Sequence, residues 1–302
     1  MRLLRRGALA GLAATVAALA AVATPASAAT PGAPYTGMGT CPLTNATMRQ
    51  ASNLQVVCFV SVTNSGGMTI GSHTVGFTSP ITLQFGAYLP ASAPSVSFPD
   101  GTSAYVYTVV PPTDGKVLTA APIEVPIPGI VNLIPGVTSV YAQVLTAGPV
   151  TSFVPLASGE PYPILSMPIK IKLSGSLLGD SCYLGSDSQP IVLHPTSGTT
   201  NPPAPNKPVS GDPGSLALDL DPHGYGALIA SYTGATLVDN SFAVPGATGC
   251  GLFGVLNGIV NSVFGLPSAA GNNTVAFGRN NSSVALDSTA ADLASAIAAA
   301  SS

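Results

Sequence analysis

The sequence has no tryptophan, only three histidines, and charged residues make up 7% of it, against about 25% in an ordinary soluble domain. Each shortage removes a class of function. Six basic residues lie beyond the first ten positions, at Arg49, Lys116, Lys170, Lys172, Lys207 and Arg279. They are too scattered to form a positive patch. Nucleic acid and anionic lipid surfaces both require clustered positive charge, so neither is an expected partner. No G-x-S-x-G, Gly-rich phosphate loop, H-E-x-x-H or C-x-x-C motif occurs, so nothing points to a nucleophile elbow, a nucleotide site or a zinc protease, and no cofactor is expected. Low charge with low hydropathy would mean disorder. Here 46% of residues are hydrophobic, enough to build a core.

What is present begins with "MRLLRRGALAGLAATVAALAAVATPASAAT". Arg2, Arg5 and Arg6 form a positive n-region, Gly7 to Ala23 an apolar h-region, and Ala26-Ser27-Ala28 a small-x-small cleavage site. This is the pattern of a secretory signal peptide over 1–28. Its about 17 apolar residues are short for a membrane span, which needs roughly 20. The Arg5-Arg6 pair leaves twin-arginine export beside the general secretory route. No second run in the sequence is long and apolar enough to span. Cleavage removes three of nine basic residues and none of the twelve acidic ones, so the exported protein is acidic, and the expected location is extracellular.

Four cysteines, Cys41, Cys58, Cys182 and Cys250, suit an oxidising compartment. No two lie within ten residues of each other, unlike paired zinc ligands. Asp180 and Asp187 flank Cys182 and disfavour a thiolate there, which argues against a nucleophile. Four cysteines allow three connectivities. Pairing within each half gives Cys41–Cys58 and Cys182–Cys250. Their loops of about 17 and about 68 residues are worth on the order of 3 and 4.4 kcal/mol in the chain-entropy model.

The rest reads as strands. "LQVVCFVSVT" alternates, with Val56, Cys58, Val60 and Val62 on one face. "ITLQFGAYL" places Ile81, Leu83, Phe85 and Ala87 inward. "SAYVYTVV" places Tyr105, Tyr107 and Val109 together, and "PIKIKLSG" buries Ile169, Ile171 and Leu173 while Lys170 and Lys172 face out. Turn signals stand between these runs. They predict an all-β protein, an antiparallel sandwich or barrel-like fold stapled by two disulfides. One helix is expected over 252–264, with Leu252, Leu256, Ile259, Val260 and Val263 on its packed side and Gly265 and Pro267 ending it. The expected organisation is one β-rich domain over 29–288, undivided or in two lobes (about 35–160 and 161–288), then an Ala-rich flexible or helical tail over 289–302. The Pro/Gly-rich stretch 196–214 falls inside the Cys182–Cys250 loop and reads as an ordered surface loop.

Candidate chemistry concentrates in "LALDLDPHGYGAL". Asp219 and Asp221, two apart, share a strand face, and His223 follows in a turn. Two carboxylates and an imidazole are a metal-binding or water-polarising set, and a solvated strand end carries the same residues. Asp239 in "LVDNSFAVPG" reads as a buried turn cap. Tyr105, Tyr107 and Tyr183 are the candidate sugar platform.

The motifs "GSLLGDSCYLGSDSQPI", "GTTNPPAPNKPVSG", "LVDNSFAVPGATGCG" and "GLPSAAGNNT" occur in that order over about 170–275. In them the chain resembles a group of uncharacterised secreted actinobacterial proteins. The resemblance implies an exported, cofactor-free protein with a Cys182–Cys250 bridge, and it brings no activity. The expected function is therefore an exported cell-envelope or extracellular protein with a structural or binding role, its partner a cell-wall or other extracellular polymer. The alternatives are a secreted hydrolase or metal-dependent enzyme using Asp219, Asp221 and His223, or a carbohydrate-binding module.

Overall fold

The computed structural model describes residues 30–50, 55–127, 130–133 and 137–301. The predicted signal peptide therefore lies outside the described residues. The antiparallel β-sandwich expected from the sequence is present, and both disulfides pair as Cys41–Cys58 and Cys182–Cys250.

A short helix, α1 (Ala46–Arg49), precedes the strands β1 (Val56–Ile70), β2 (His73–Gly76) and β3 (Ile81–Tyr88). A small hairpin follows, β4 (Ser95–Ser97) with β5 (Ser103–Tyr105), then β6 (Thr108–Val110), β7 (Leu118–Ala120) and β8 (Ile123–Val125). After α2 (Ile130–Leu133) come β9 (Val140–Thr146), β10 (Met167–Ser174), β11 (Tyr183–Leu184) and β12 (Ile191–Leu193). The last part contains β13 (Ser215–Leu220), β14 (Leu228–Asp239), β15 (Ala247–Thr248), α3 (Asn257–Phe264), β16 (Thr274–Asp287) and α4 (Ala290–Ala299). The first sheet runs β13-β14-β16-β1-β3-β6, with β2 on β1 and β7 on β3. The second runs β15-β11-β10-β9-β8, with β12 on β10. Both 35–160 and 161–288 supply strands to both sheets, and β1 pairs with β16 along nearly their whole lengths. The two stretches are thus interleaved rather than set apart as lobes.

The strand alternation holds in β10, where Met167, Ile169, Ile171 and Leu173 are buried and the lysines between them are half-buried. It fails in β1, where Val56 to Val60 are all buried. Val57 and Phe59 face the second sheet, and Val56, Cys58 and Val60 belong to a separate apolar cluster on the outer side. That outer side is covered by Tyr35, Met38, Leu43 and Met48 from the N-terminal segment and by Leu293, Ala296 and Ile297 of α4. The molecule is therefore three layers: a partly helical cap, the first sheet and the second sheet. Gly86 permits the cap to lie flat, since a Cβ there would stand 2.6 Å from Pro42 Cδ. The tail is helical and built into the cap. Thr289 caps it by accepting from Asp292 N (3.0 Å) and donating to the Asp292 carboxylate (2.6 Å), and Gly32 N donates to Ala300 O.

The predicted helix over 252–264 is shorter than expected. Leu252–Gly254 form a 3₁₀ turn and only Asn257–Phe264 are α-helical. Leu252 is exposed, not packed, while Val260 and Phe264 are buried in the sandwich core. The cause is local: Gly251 and Gly254 take positive φ on either side of Phe253, itself at φ 55°, and break the helical run. Among the described residues no helix is long and apolar enough to cross a membrane.

Candidate functional site

The acidic cluster does not converge. Asp219 is exposed on β13. Asp221 lies just beyond the strand, in the turn into β14, where its N–H donates to Ala227 O at 2.8 Å. Its carboxylate is buried and committed internally. Oδ1 accepts from the Tyr35 hydroxyl (2.8 Å) and from His223 Nδ1 (3.2 Å), and Oδ2 accepts from Tyr225 N (2.8 Å). Burial pushes this carboxyl up, but the bonds from Tyr225, Tyr35 and His223 outweigh it and hold the group below the usual carboxylate range. Tyr35 is pushed the other way, by burial and by its bond to Asp221. Asp221 thus joins the N-terminal segment to the β13–β14 turn. Among the described residues no three His, Cys, Asp or Glu side chains are grouped as metal ligands.

Asp239 is the buried turn cap its sequence suggested. Oδ2 accepts from His194 N (2.7 Å), and Oδ1 accepts from Ser241 N (2.9 Å) and Ser241 Oγ (2.7 Å). The stretch 196–214 is held by bridges Thr196↔Val238, Thr199↔Ser210 and Asp212↔Thr236, and by Asn206 Nδ2 donating to Asn240 O and Asn273 O. The tyrosines form no platform. "SAYVYTVV" is divided between β5 and β6, which belong to different sheets. Tyr105 is exposed, whereas Tyr107 is buried against Phe153 and bonded to Gln55, and burial pushes its hydroxyl up to about 12. Tyr183 is on β11 in the second sheet, beneath the Lys170 ammonium at 5.4 Å.

Two open surface hollows, about 500 Å³ beside Met38, Leu43, Thr113 and Ile297 and about 280 Å³ beside Glu124, Ile127 and Val140, are the larger concavities, and three small apolar voids lie between the sheets. One void of about 50 Å³ is walled by Phe59, Met68, Phe77, Leu83, Met167 and Phe277, among others. A second, about 40 Å³, shares Phe59, Ile164 and Leu237 with it and extends toward Phe153 and Val284. A third, about 50 Å³, shares Met68, Phe77 and Val144 with the first and extends toward Ile171 and Phe264. Each is about a third of the about 150 Å³ that takes a benzene-sized guest.

Three polar side chains stand in the wall of the first void, while Ser158, Ser197, Tyr232 and Ser282 also border the second and His73 the third. Asn280 Nδ2 lies 2.7 Å from Ser61 Oγ and 2.9 Å from Thr63 Oγ1, and all three residues are buried. Ser61 and Asn280 border both the first and the second void, and Thr63 borders the first. The backbone explains their direction. On β16 both Phe277 and Asn280 face the voids although they are three apart. The alternation slips at Arg279, which takes φ 47°. On β1 the matching slip falls between Thr63 and Met68, around Gly66 at φ 116°. The β14–β16 register also shifts on both sides of the Ala235↔Asn280 pair. Such irregularities re-aim side chains.

The sequence reading missed these three residues because it took Val56, Cys58, Val60 and Val62 as the buried face of β1. The complementary row Val57, Phe59, Ser61 and Thr63 carries the signal: two hydroxyls in line with a phenylalanine. Comparison with family models, curated proteins and solved structures finds no match to this chain.

Proposed function

We propose that this chain is an exported, non-catalytic binding protein that holds a small apolar molecule between its two sheets. The observation that carries the reading is the set of neighbouring voids, the first and third walled mainly by phenylalanine, methionine and aliphatic side chains and the second also by hydroxyls of Ser158, Ser197, Tyr232 and Ser282. Protein interiors are close-packed, and voids larger than a water molecule are few. Atoms lining an apolar void lack partners on one side, and a guest restores those dispersion contacts. The two disulfides suit an oxidising extracellular setting, and they keep the cap and the β11–β15 edge in place whether or not a guest is bound. The signal-peptide pattern and the resemblance to secreted actinobacterial proteins agree with export.

The test is titration of the purified protein with N-phenyl-1-naphthylamine, a neutral probe that fluoresces in apolar surroundings. The expected result is saturable uptake near one probe per chain. Val144→Phe, which projects into the wall shared by the first and third voids, should abolish uptake while the protein stays folded. Absent or unsaturable emission, or uptake unchanged by Val144→Phe, overturns the proposal.

A further inference from the structure

Ser61, Thr63 and Asn280 have hydrogen-bonding capacity that no other described residue uses. The three side chains carry four donor hydrogens, two on the amide and one on each hydroxyl. Their mutual contacts, Asn280 to Ser61 and Asn280 to Thr63, engage two of them. The Asn280 nitrogen faces the hydroxyls, so the Ser61 and Thr63 O–H groups are the two left over. They border the first void, whose other lining side chains are apolar, and an unmet donor costs about 1–3 kcal/mol in such a space. Among the described residues no Lys, Arg or His lines the first or the second void, so an ionised guest would be buried without a counter-charge.

Resting on the binding function proposed above, we infer that the guest is a neutral, slender molecule with a hydrogen-bond acceptor in mid-chain, such as an ester or ketone carbonyl with an apolar arm on each side. The acceptor is mid-chain because Ser61 and Asn280 stand at the boundary of two voids, one on either side of them. The trio would receive the carbonyl oxygen, and the two voids would receive the arms. A guest with its polar group at one end would fill one void and leave the other empty.

The experiment is competition against bound N-phenyl-1-naphthylamine with three ligands of similar length: butyl butanoate, n-nonane and octanoate. It is run on the wild type, on Thr63→Val, which removes a hydroxyl at nearly constant shape, and on Thr63→Ser, which keeps one. Circular dichroism confirms that each variant is folded. The expected result is that the ester-to-alkane affinity ratio drops about five- to tenfold in Thr63→Val, holds in Thr63→Ser, and that octanoate competes weakly throughout. An unchanged ratio in Thr63→Val means the donors are met by water and overturns this inference, while displacement by n-nonane keeps the cavity proposal standing. Octanoate competing as well as butyl butanoate overturns the neutral character of the guest. Failure of every ligand together with failure of the probe itself overturns the cavity proposal instead.

Discussion

Asp221 and Tyr35 are 186 positions apart and share one buried hydrogen bond, which makes them sensitive reporters of the folded state. The Asp221 carboxyl is held below its ordinary value, so its contribution is present above the unfolded carboxylate pKa of about 3.9 and is lost as pH falls through the folded value. Tyr35 is raised, so its contribution is present below about pH 10 and is lost as pH rises beyond that. Tyr35→Phe removes one of the bonds that keep Asp221 ionised. It should lower stability at pH 7 by about 1.5–3 kcal/mol, move the acid unfolding midpoint to higher pH, and weaken the alkaline loss. Urea titrations between pH 2 and 11 measure all three. An acid midpoint identical to wild type would mean that the bond does not form in solution.

At the scale of elements, α4 shows how a sequence of low information content becomes part of a core. "ADLASAIAAASS" has the composition of a free tail. Its Leu293 and Ala296 are nevertheless fully buried against the outer face of the first sheet. The capping pair Thr289 and Asp292 starts the helix, and the small alanines allow close approach to β16. Leu293→Ala should therefore cost about 2–5 kcal/mol, as a buried leucine does, and not the few tenths expected of a mobile tail. Guanidinium melts of the variant and wild type decide between the two. The helix over 252–264 went the other way: periodicity predicted one element, but glycines at 251 and 254 confined it to Asn257–Phe264 and left Leu252 and Phe253 in solvent.

For the whole molecule, the Cys182–Cys250 bridge joins the residue just before β11 to the second residue after β15, the two strands at one end of the second sheet. Cys250 N also donates to Asn257 Oδ1 at 2.8 Å, so the bridge fixes the start of α3. Cys182→Ala should cost about 2–5 kcal/mol, a large share of a domain stability of roughly 5–15 kcal/mol. The Cys182→Ala/Cys250→Ala double variant should be no less stable than either single one, because the first substitution already breaks the bond. Calorimetry of the three proteins, with peptide mapping under non-reducing conditions, checks both statements. A freely alkylatable Cys182 in the folded wild type would reverse them.

The sequence alone determined what depends on neighbours along the chain. The strand runs, the turns between them, the β10 alternation and the fold class follow from period and punctuation, which are local. The disulfide pairing was legible as far as an even cysteine count and proximity allow. Asp239 was legible as a turn cap because its partner Ser241 is two residues away. Tertiary structure decided what depends on two distant segments meeting. Only the cap shows that both faces of β1 are buried. Only the pairing of β1 with β16 brings Asn280 to Ser61 and Thr63, more than two hundred positions apart. Only the slip at Arg279 turns Asn280 toward the second sheet. Asp219, Asp221 and His223 looked like a site because they are close in sequence. The fold kept His223 on Asp221 but parted the two carboxylates, because the strand ended between them and left one in solvent and the other bonded to Tyr35. Sequence proximity brings side chains near one another, but backbone direction and the partners that a distant segment supplies decide whether they converge.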